Sequence, residues 1–244
     1  MWYKLKRILI YPDGVTEKQV YPAWWKPWAN TIAYYPLTSE TTVNDMSGNN
    51  RTLTNQWSVT FSDTDWAILN SSSKRLPFPS TFIMGQVITV SVWVKHTTTN
   101  ALRMLSDWSG VAPRIIFGIE QWALFCHMWN GSSGEVWKNI VSSSTNTWEY
   151  YVLVKNWATC TYYKNWTLLS SHTYAYNPSI WWTENGNEYC IWMNEWWTNN
   201  IKDYIIENRI WTAEQVANYY NQTKANYQSS SGWGSWGSIP AEPL

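Results

Sequence analysis

The stretch that decides the fold runs from Tyr150 to Tyr174 and reads YYVLVKNWATCTYYKNWTLLSSHTY. Its three runs of β-branched and aromatic residues predict strands at 150–155, 158–164 and 167–174. The tips between them are Asn156-Trp157 and Asn165-Trp166. Such short connections predict two consecutive β-hairpins, and therefore an antiparallel sheet.

Both tips place tryptophan where glycine is expected. A type I′ tip requires positive φ at both residues, so Asn-Gly is the usual pair, and a bulky side chain is strained there. The chain has 22 Trp and 11 Gly, although glycine ordinarily makes up about 7% of a protein. We interpret many of these tryptophans as glycines from a source that reads UGA as Gly. The tryptophans expected to be genuine lie in apolar patterns: Trp93, Trp148 and Trp211.

The same strand pattern continues through the rest of the chain. Between Val87 and Lys95 the apolar residues alternate with others and share one face: Ile88, Val90, Val92 and Val94. Similar short runs occur at 32–36, 102–106, 114–119, 123–128, 189–193 and 201–207. Regularly spaced strands of this kind predict an all-β protein, a two-sheet antiparallel sandwich. Thr212 and Gln215 form a capping box, which predicts one short C-terminal helix.

The composition divides the chain into three parts. We expect an N-terminal leader or docking segment at 1–28, the sandwich at 29–224, and a flexible tail rich in Ser, Gly and Pro at 225–244. The apolar run at 8–10 is much shorter than that of a signal peptide, so no secretion signal is expected. No window of about 18 apolar residues is present, which argues against a membrane span.

Charge and cysteine content exclude further classes. The chain has 17 basic and 17 acidic residues, and this balance argues against nucleic acid as a partner, because phosphate binding needs a basic stripe. The three cysteines, Cys126, Cys160 and Cys190, lack the spacing of metal ligands and do not predict a disulfide framework. We interpret them as small residues within strands.

Once the suspect tryptophans are read as glycine, the chain resembles the concanavalin A-like lectin/glucanase superfamily, and specifically its LamG-like (laminin G-type) domains. The matching hairpin positions are Trp148, Val152, Val154, Trp157, Tyr163, Asn165, Trp166 and Leu168. Residues 33–37 with 44–49 resemble the family's opening, 88–95 a central strand, and 201–221 its closing strand and helix. The resemblance implies a jelly-roll sandwich that recognises glycans or another cell-surface ligand.

Two kinds of ligand follow from these matches. Related domains place calcium near the loop at 44–50, so Asp45, Asn50 and, more weakly, Asp203 are candidate ligands of a structural Ca²⁺; the alternative is an Asx turn. A sugar needs a flat aromatic ring and polar groups. The candidates by strand position are Tyr162, Tyr163 and Trp148, and the alternative for each is core packing.

We expect no enzymatic activity. A glycoside hydrolase on the same fold would need two carboxylates beside the scissile bond. Glu184 and Glu188 are close in sequence, but the Gly and Asn between them indicate a loop. The expected function is carbohydrate or cell-surface binding within a phage tail or other virion protein. Such a protein is made in the cytoplasm, acts outside the cell, and binds other virion proteins through its leader. A fragment of a bacterial surface adhesin is the alternative.

Overall fold

The computed structural model describes residues 30–38, 43–56, 58–62, 66–71, 73–79, 85–97, 102–107, 114–120, 123–129, 133–140, 146–175, 189–193 and 198–228. The predicted leader, Glu184 and Glu188 lie outside these residues, as does the tail from residue 229 onward. Within them the chain forms fourteen strands and two helices. The strands are β1 (Thr31–Tyr35), β2 (Thr60–Ser62), β3 (Trp66–Leu69), β4 (Arg75–Pro77), β5 (Val87–His96), β6 (Leu102–Asp107), β7 (Arg114–Glu120), β8 (Ala123–Trp129), β9 (Gly134–Ile140), β10 (Trp148–Asn156), β11 (Thr159–Lys164), β12 (Thr167–Thr173), β13 (Tyr189–Met193) and β14 (Asn199–Glu207). The helices are α1 (Ala213–Thr223) and α2 (Ala225–Gln228).

The strands form two antiparallel sheets. The eight-stranded sheet has the order β12-β11-β10-β5-β14-β3-β2, and β1 also pairs with β14. The six-stranded sheet has the order β4-β13-β6-β7-β8-β9. The predicted β-sandwich is therefore confirmed, and each strand run predicted from the alternation falls on a strand of the structure.

The main core lies between the two sheets and follows from the period of two in each strand. Ile88, Val90, Val92 and Val94 of β5 are fully buried in it, as the alternation predicts. The six-stranded sheet contributes alternate residues of β7 and β8, among them Phe117 and Cys126. All three cysteines are buried, and none of them forms a disulfide bond.

A second core lies on the opposite face of the eight-stranded sheet, beneath the helices. Helix α1 begins at the predicted capping box, in which the Gln215 amide N–H donates to Thr212 Oγ1 and the Thr212 N–H donates to the Gln215 side chain. The three tryptophans expected to be genuine, Trp93, Trp148 and Trp211, are all buried here. Neither described helix has the length or the apolar run needed to cross a bilayer.

The folded region extends past the predicted boundary at 224. Residues 225–228 form α2, and Tyr227 is buried in the second core with its ring centroid 4.2 Å from that of Trp93. The buried Tyr227 ring packs on the eight-stranded sheet and so joins this segment to the folded region.

The two hairpin tips differ in a way that the sequence did not predict. Asn156 pairs with Thr159, so the first tip is Trp157-Ala158, one residue later than expected. Trp157 has φ +55 and stands in the left-handed region. The second tip is Asn165-Trp166 as predicted, but there Asn165 takes the positive φ and Trp166 does not. The steric conflict therefore exists at the first tip alone of these two.

Candidate functional site

The candidate site is the outer face of the six-stranded sheet. Ile115, Phe117 and Ile119 of β7 belong to the inter-sheet core, so the residues between them, Ile116 and Gly118, face outward. The described helices pack against the other sheet. Among the described residues, this leaves the outer face of the six-stranded sheet without a helix over it.

Four residues form one straight line across this face. Arg103, Gly118, Phe125 and Lys138 are successive register partners on β6, β7, β8 and β9. Here they are named the basic row. Since Gly118 has no side chain, the Arg103 side chain reaches over its strand, and its guanidinium carbon lies 4.3 Å from the centroid of the Phe125 ring. A cation over an aromatic face is a favourable arrangement that also fixes the orientation of the guanidinium.

The structure requires glycine at position 118. A Cβ atom built there would lie 2.3 Å from the Leu102 carbonyl oxygen and 3.1 Å from the Phe125 ring. The 2.3 Å contact with the backbone is sterically forbidden and the contact with the ring is tight, so any larger residue would displace β6 and press on Phe125. The glycine therefore both allows the strands to approach and leaves room for the Arg103 guanidinium over the ring.

A single carboxylate is shared by the two cations of the basic row. Glu120 Oε2 lies 3.5 Å from Arg103 Nη2 and 3.9 Å from Lys138 Nζ. The Lys138 side chain is 54% exposed, whereas that of Arg103 is 11% exposed. Exposed ion pairs contribute about 0–1 kcal/mol, so Lys138 can exchange Glu120 for another anion at little cost. These three side chains together carry a net charge of about +1.

An aromatic and apolar surface lies beside the basic row. His127 and Val136 are register partners on β8 and β9, and Val136 is 49% exposed. The His127 ring is nearly parallel to the ring of Trp129, with 6.5 Å between their centroids. A Cβ at Gly134 would lie 2.5 Å from His127 Nε2, so this glycine leaves space for the imidazole. Flat rings next to hydrogen-bond donors are the features that sugar sites use.

The structure does not bring the predicted sugar-binding residues to this face. Tyr162 is fully buried between the sheets, and its ring stacks on that of Trp137 with 3.9 Å between centroids. Tyr163 and Trp148 lie in the second core beneath the helices. At these positions the eight-stranded sheet is covered on both faces, so the three rings have no face open to a sugar. Here the alternative interpretation, core packing, describes their positions.

The predicted calcium ligands are also not brought together. The Asp45 carboxylate accepts hydrogen bonds from the backbone N–H groups of Tyr34 (3.0 Å), Ser47 (2.9 Å) and Arg51 (3.1 Å). This pattern is that of an Asx turn, the alternative to a calcium site. Asn50 is exposed with φ +56.

The third candidate, Asp203, is buried beyond the other end of Tyr34. Its carboxylate accepts hydrogen bonds from the hydroxyls of Tyr34 (2.8 Å) and Tyr227. Burial raises the pKa of this carboxyl group. The set of Asp45, Asn50 and Asp203 therefore does not fit one calcium site. Across the described residues, no group of three or more His, Cys, Asp or Glu side chains is placed to hold a metal ion.

Sequence reasoning missed the basic row because it depends on the register of three strand pairs. Arg103 and Lys138 are 35 positions apart, and nothing in their local sequence connects them. One local signal was available. Gly118 interrupts the apolar strand of β7, and a glycine inside a strand often marks a close approach of another group.

No family model and no curated protein matches the chain. Solved structures do match. The ligand binding domain of botulinum neurotoxin serotype D, in complex with N-acetylneuraminic acid, has a TM-score of 0.63 at 14% identity and covers 79% of this chain and 51% of its own. The binding domain of serotype G has a TM-score of 0.64 at 16% identity, with 80% and 52% covered. The chain shares their β-sandwich fold. It spans about half the length of these neighbours.

Proposed function

We propose that this domain binds carbohydrate without catalysing a reaction, and that the outer face of the six-stranded sheet is its binding surface. The observation that carries the proposal is the basic row beside the rings of His127 and Trp129. Guanidinium and ammonium groups donate hydrogen bonds to sugar oxygens, and the rings offer a flat apolar surface to a pyranose.

The rigidity of the face supports this function. Arg103 is held between the Phe125 ring and Glu120, so its donors are oriented before any ligand arrives. Ordering a flexible side chain on binding costs about 0.5–1.5 kcal/mol, and preorganisation removes much of this cost. The serotype D domain, solved with N-acetylneuraminic acid, supports a carbohydrate as the ligand class.

The test is a glycan array probed with the purified domain and with three variants. We expect wild-type protein to bind a subset of glycans and to leave them chemically intact. Arg103→Ala and Lys138→Ala should weaken that binding, whereas Lys224→Ala, which removes a half-buried cation just after α1 and away from this sheet, should not. Thermal unfolding of each variant shows that it is folded. A wild-type domain that binds no glycan, or variants that bind as well as wild type, would overturn the proposal.

We also propose a biological setting and a family. The fold is a concanavalin A-like, LamG-type sandwich, and the domain belongs to a phage tail or other virion protein, with a bacterial adhesin as the alternative. The support is the sequence resemblance together with the proposed binding role. Mass spectrometry of purified particles from the source tests the setting, and detection on bacterial envelopes instead would favour the adhesin. The same spectra report whether residue 157 is Gly or Trp.

A further inference from the structure

We infer that the basic row selects sugars that bear a carboxylate. This inference rests on the proposed function, since it names the class of glycan that the same face takes. The chain as a whole has no net charge, with 17 residues of each sign, so a local excess of positive charge is a property of this face rather than of the protein.

The register extends the positive charge along the whole sheet. Residue 192 of β13 pairs with Arg103 on one side and with Arg75 of β4 on the other, so Arg75 lies on the same line as the basic row. Leu76 belongs to the inter-sheet core, and Arg75 therefore faces outward. The line thus contains three cations, Arg75, Arg103 and Lys138, and Glu120 is the acid that lies against two of them.

The position of Glu120 shows which anion the row accommodates. Its carboxylate lies between the guanidinium of Arg103 and the ammonium of Lys138, within 4 Å of both. The face therefore already holds a carboxylate that belongs to the protein. A carboxylate on a sugar would approach the exposed side of Lys138 and compete with Glu120 for the same cations. Glu120 acts in this arrangement as an internal competitor that lowers the affinity for acidic ligands.

This competition gives opposite effects for two substitutions. Glu120→Gln keeps the size of the side chain but removes its charge, so an acidic glycan should bind more tightly. The interaction of two unit charges about 6 Å apart in water corresponds to about a threefold change in affinity. Lys138→Ala removes the exposed cation and should weaken acidic binding by a similar factor. A neutral glycan of the same skeleton should be affected little by either change.

The experiment measures the Kd of a sialylated oligosaccharide and of the same oligosaccharide after removal of the sialic acid. A sulfated derivative is the third ligand. Each is titrated against wild type, Glu120→Gln, Lys138→Ala and the control Lys224→Ala, at about 50 and 500 mM salt. We expect the sialylated ligand to bind best, to bind about threefold tighter to Glu120→Gln, and to lose affinity at high salt.

The outcomes separate this inference from the proposed function. Equal binding of the sialylated and neutral ligands, with no effect of Glu120→Gln, would overturn the selectivity and leave carbohydrate binding intact. Preference for the sulfated ligand would overturn the choice of carboxylate. Absence of binding to any sugar would overturn both. Unchanged thermal unfolding of the surface variants shows that the affinities concern folded protein.

Discussion

Replacing Trp157 by glycine tests whether the first hairpin tip is built for glycine. A non-glycine residue in the left-handed region carries a cost of about 1–2 kcal/mol. Trp157 has φ +55 and is 60% exposed, so the substitution relieves this strain while removing little buried surface. Its backbone N–H, which donates to the Gln86 carbonyl oxygen at 2.9 Å, is retained.

Trp166 provides a matched control at the second tip. It is 59% exposed, it also occupies a two-residue tip, and its φ is not positive. Glycine adds freedom to the unfolded chain at either site, which costs about 0.5–1 kcal/mol. Trp166→Gly should therefore lower the free energy of unfolding by about that amount. The free energy of unfolding of Trp157→Gly should be about 1–2 kcal/mol higher than that of Trp166→Gly, and it should equal or exceed that of wild type.

The assay is urea unfolding of wild type and both variants, monitored by far-UV circular dichroism. The three curves are fitted with a common dependence of the free energy of unfolding on urea concentration. The difference between the two variants isolates the backbone strain, because exposure and unfolded-state entropy are nearly the same for both. If Trp157→Gly is as destabilised as Trp166→Gly, the left-handed strain is absent and the argument for glycine at this tip fails.

Three further predictions concern the rest of the molecule. Gly118→Ala should lower the free energy of unfolding by about 2 kcal/mol, because its Cβ would collide with the Leu102 carbonyl oxygen. The same substitution should weaken glycan binding. A urea titration that shows unchanged stability would contradict this prediction. Burial lowers the pKa of Lys155 and Lys202 from 10.5 to about 8, so the folded state disfavours their charged forms. The unfavourable free energy of burying their charged forms is fully present below pH 8 and declines as pH rises toward 10.5. The free energy of unfolding should therefore increase between pH 8 and 10.5, and Lys202→Met should flatten that increase. Thr212→Ala removes the cap of α1 and should cost about 1 kcal/mol, measured by thermal unfolding against the neighbouring Ala213→Gly, whose loss should be of a similar size.

The fold was predictable because alternation in each strand records which face is buried. The valines of β5 repeat with a period of two, and the structure places them in the inter-sheet core as that period requires. The capping box at Thr212 is equally local, and α1 begins there. The exact hairpin register was less accessible, because Asn156 continues the strand and moves the first tip by one residue.

The site was not predictable from local patterns. A tyrosine on a strand, such as Tyr162, is compatible with either the sheet surface or the core. Its exposure depends on whether a second layer covers its sheet. The central strands of the eight-stranded sheet are covered on both faces, whereas the six-stranded sheet has one face free of described helices. Likewise Arg103 and Phe125 meet because β6, β7 and β8 align at a glycine, and only the assembled sheet defines that alignment.

Chemical-shift mapping tests the central claim most directly. The isotope-labelled domain is titrated with the best glycan from the array, and backbone amide shifts are followed by two-dimensional NMR. We predict that the largest shifts fall on β6 to β9 around Gly118 and Phe125, with the hairpin of β11 and β12 unaffected. Shifts confined to that hairpin, or to the helices, would contradict the placement of ligand binding on the six-stranded sheet.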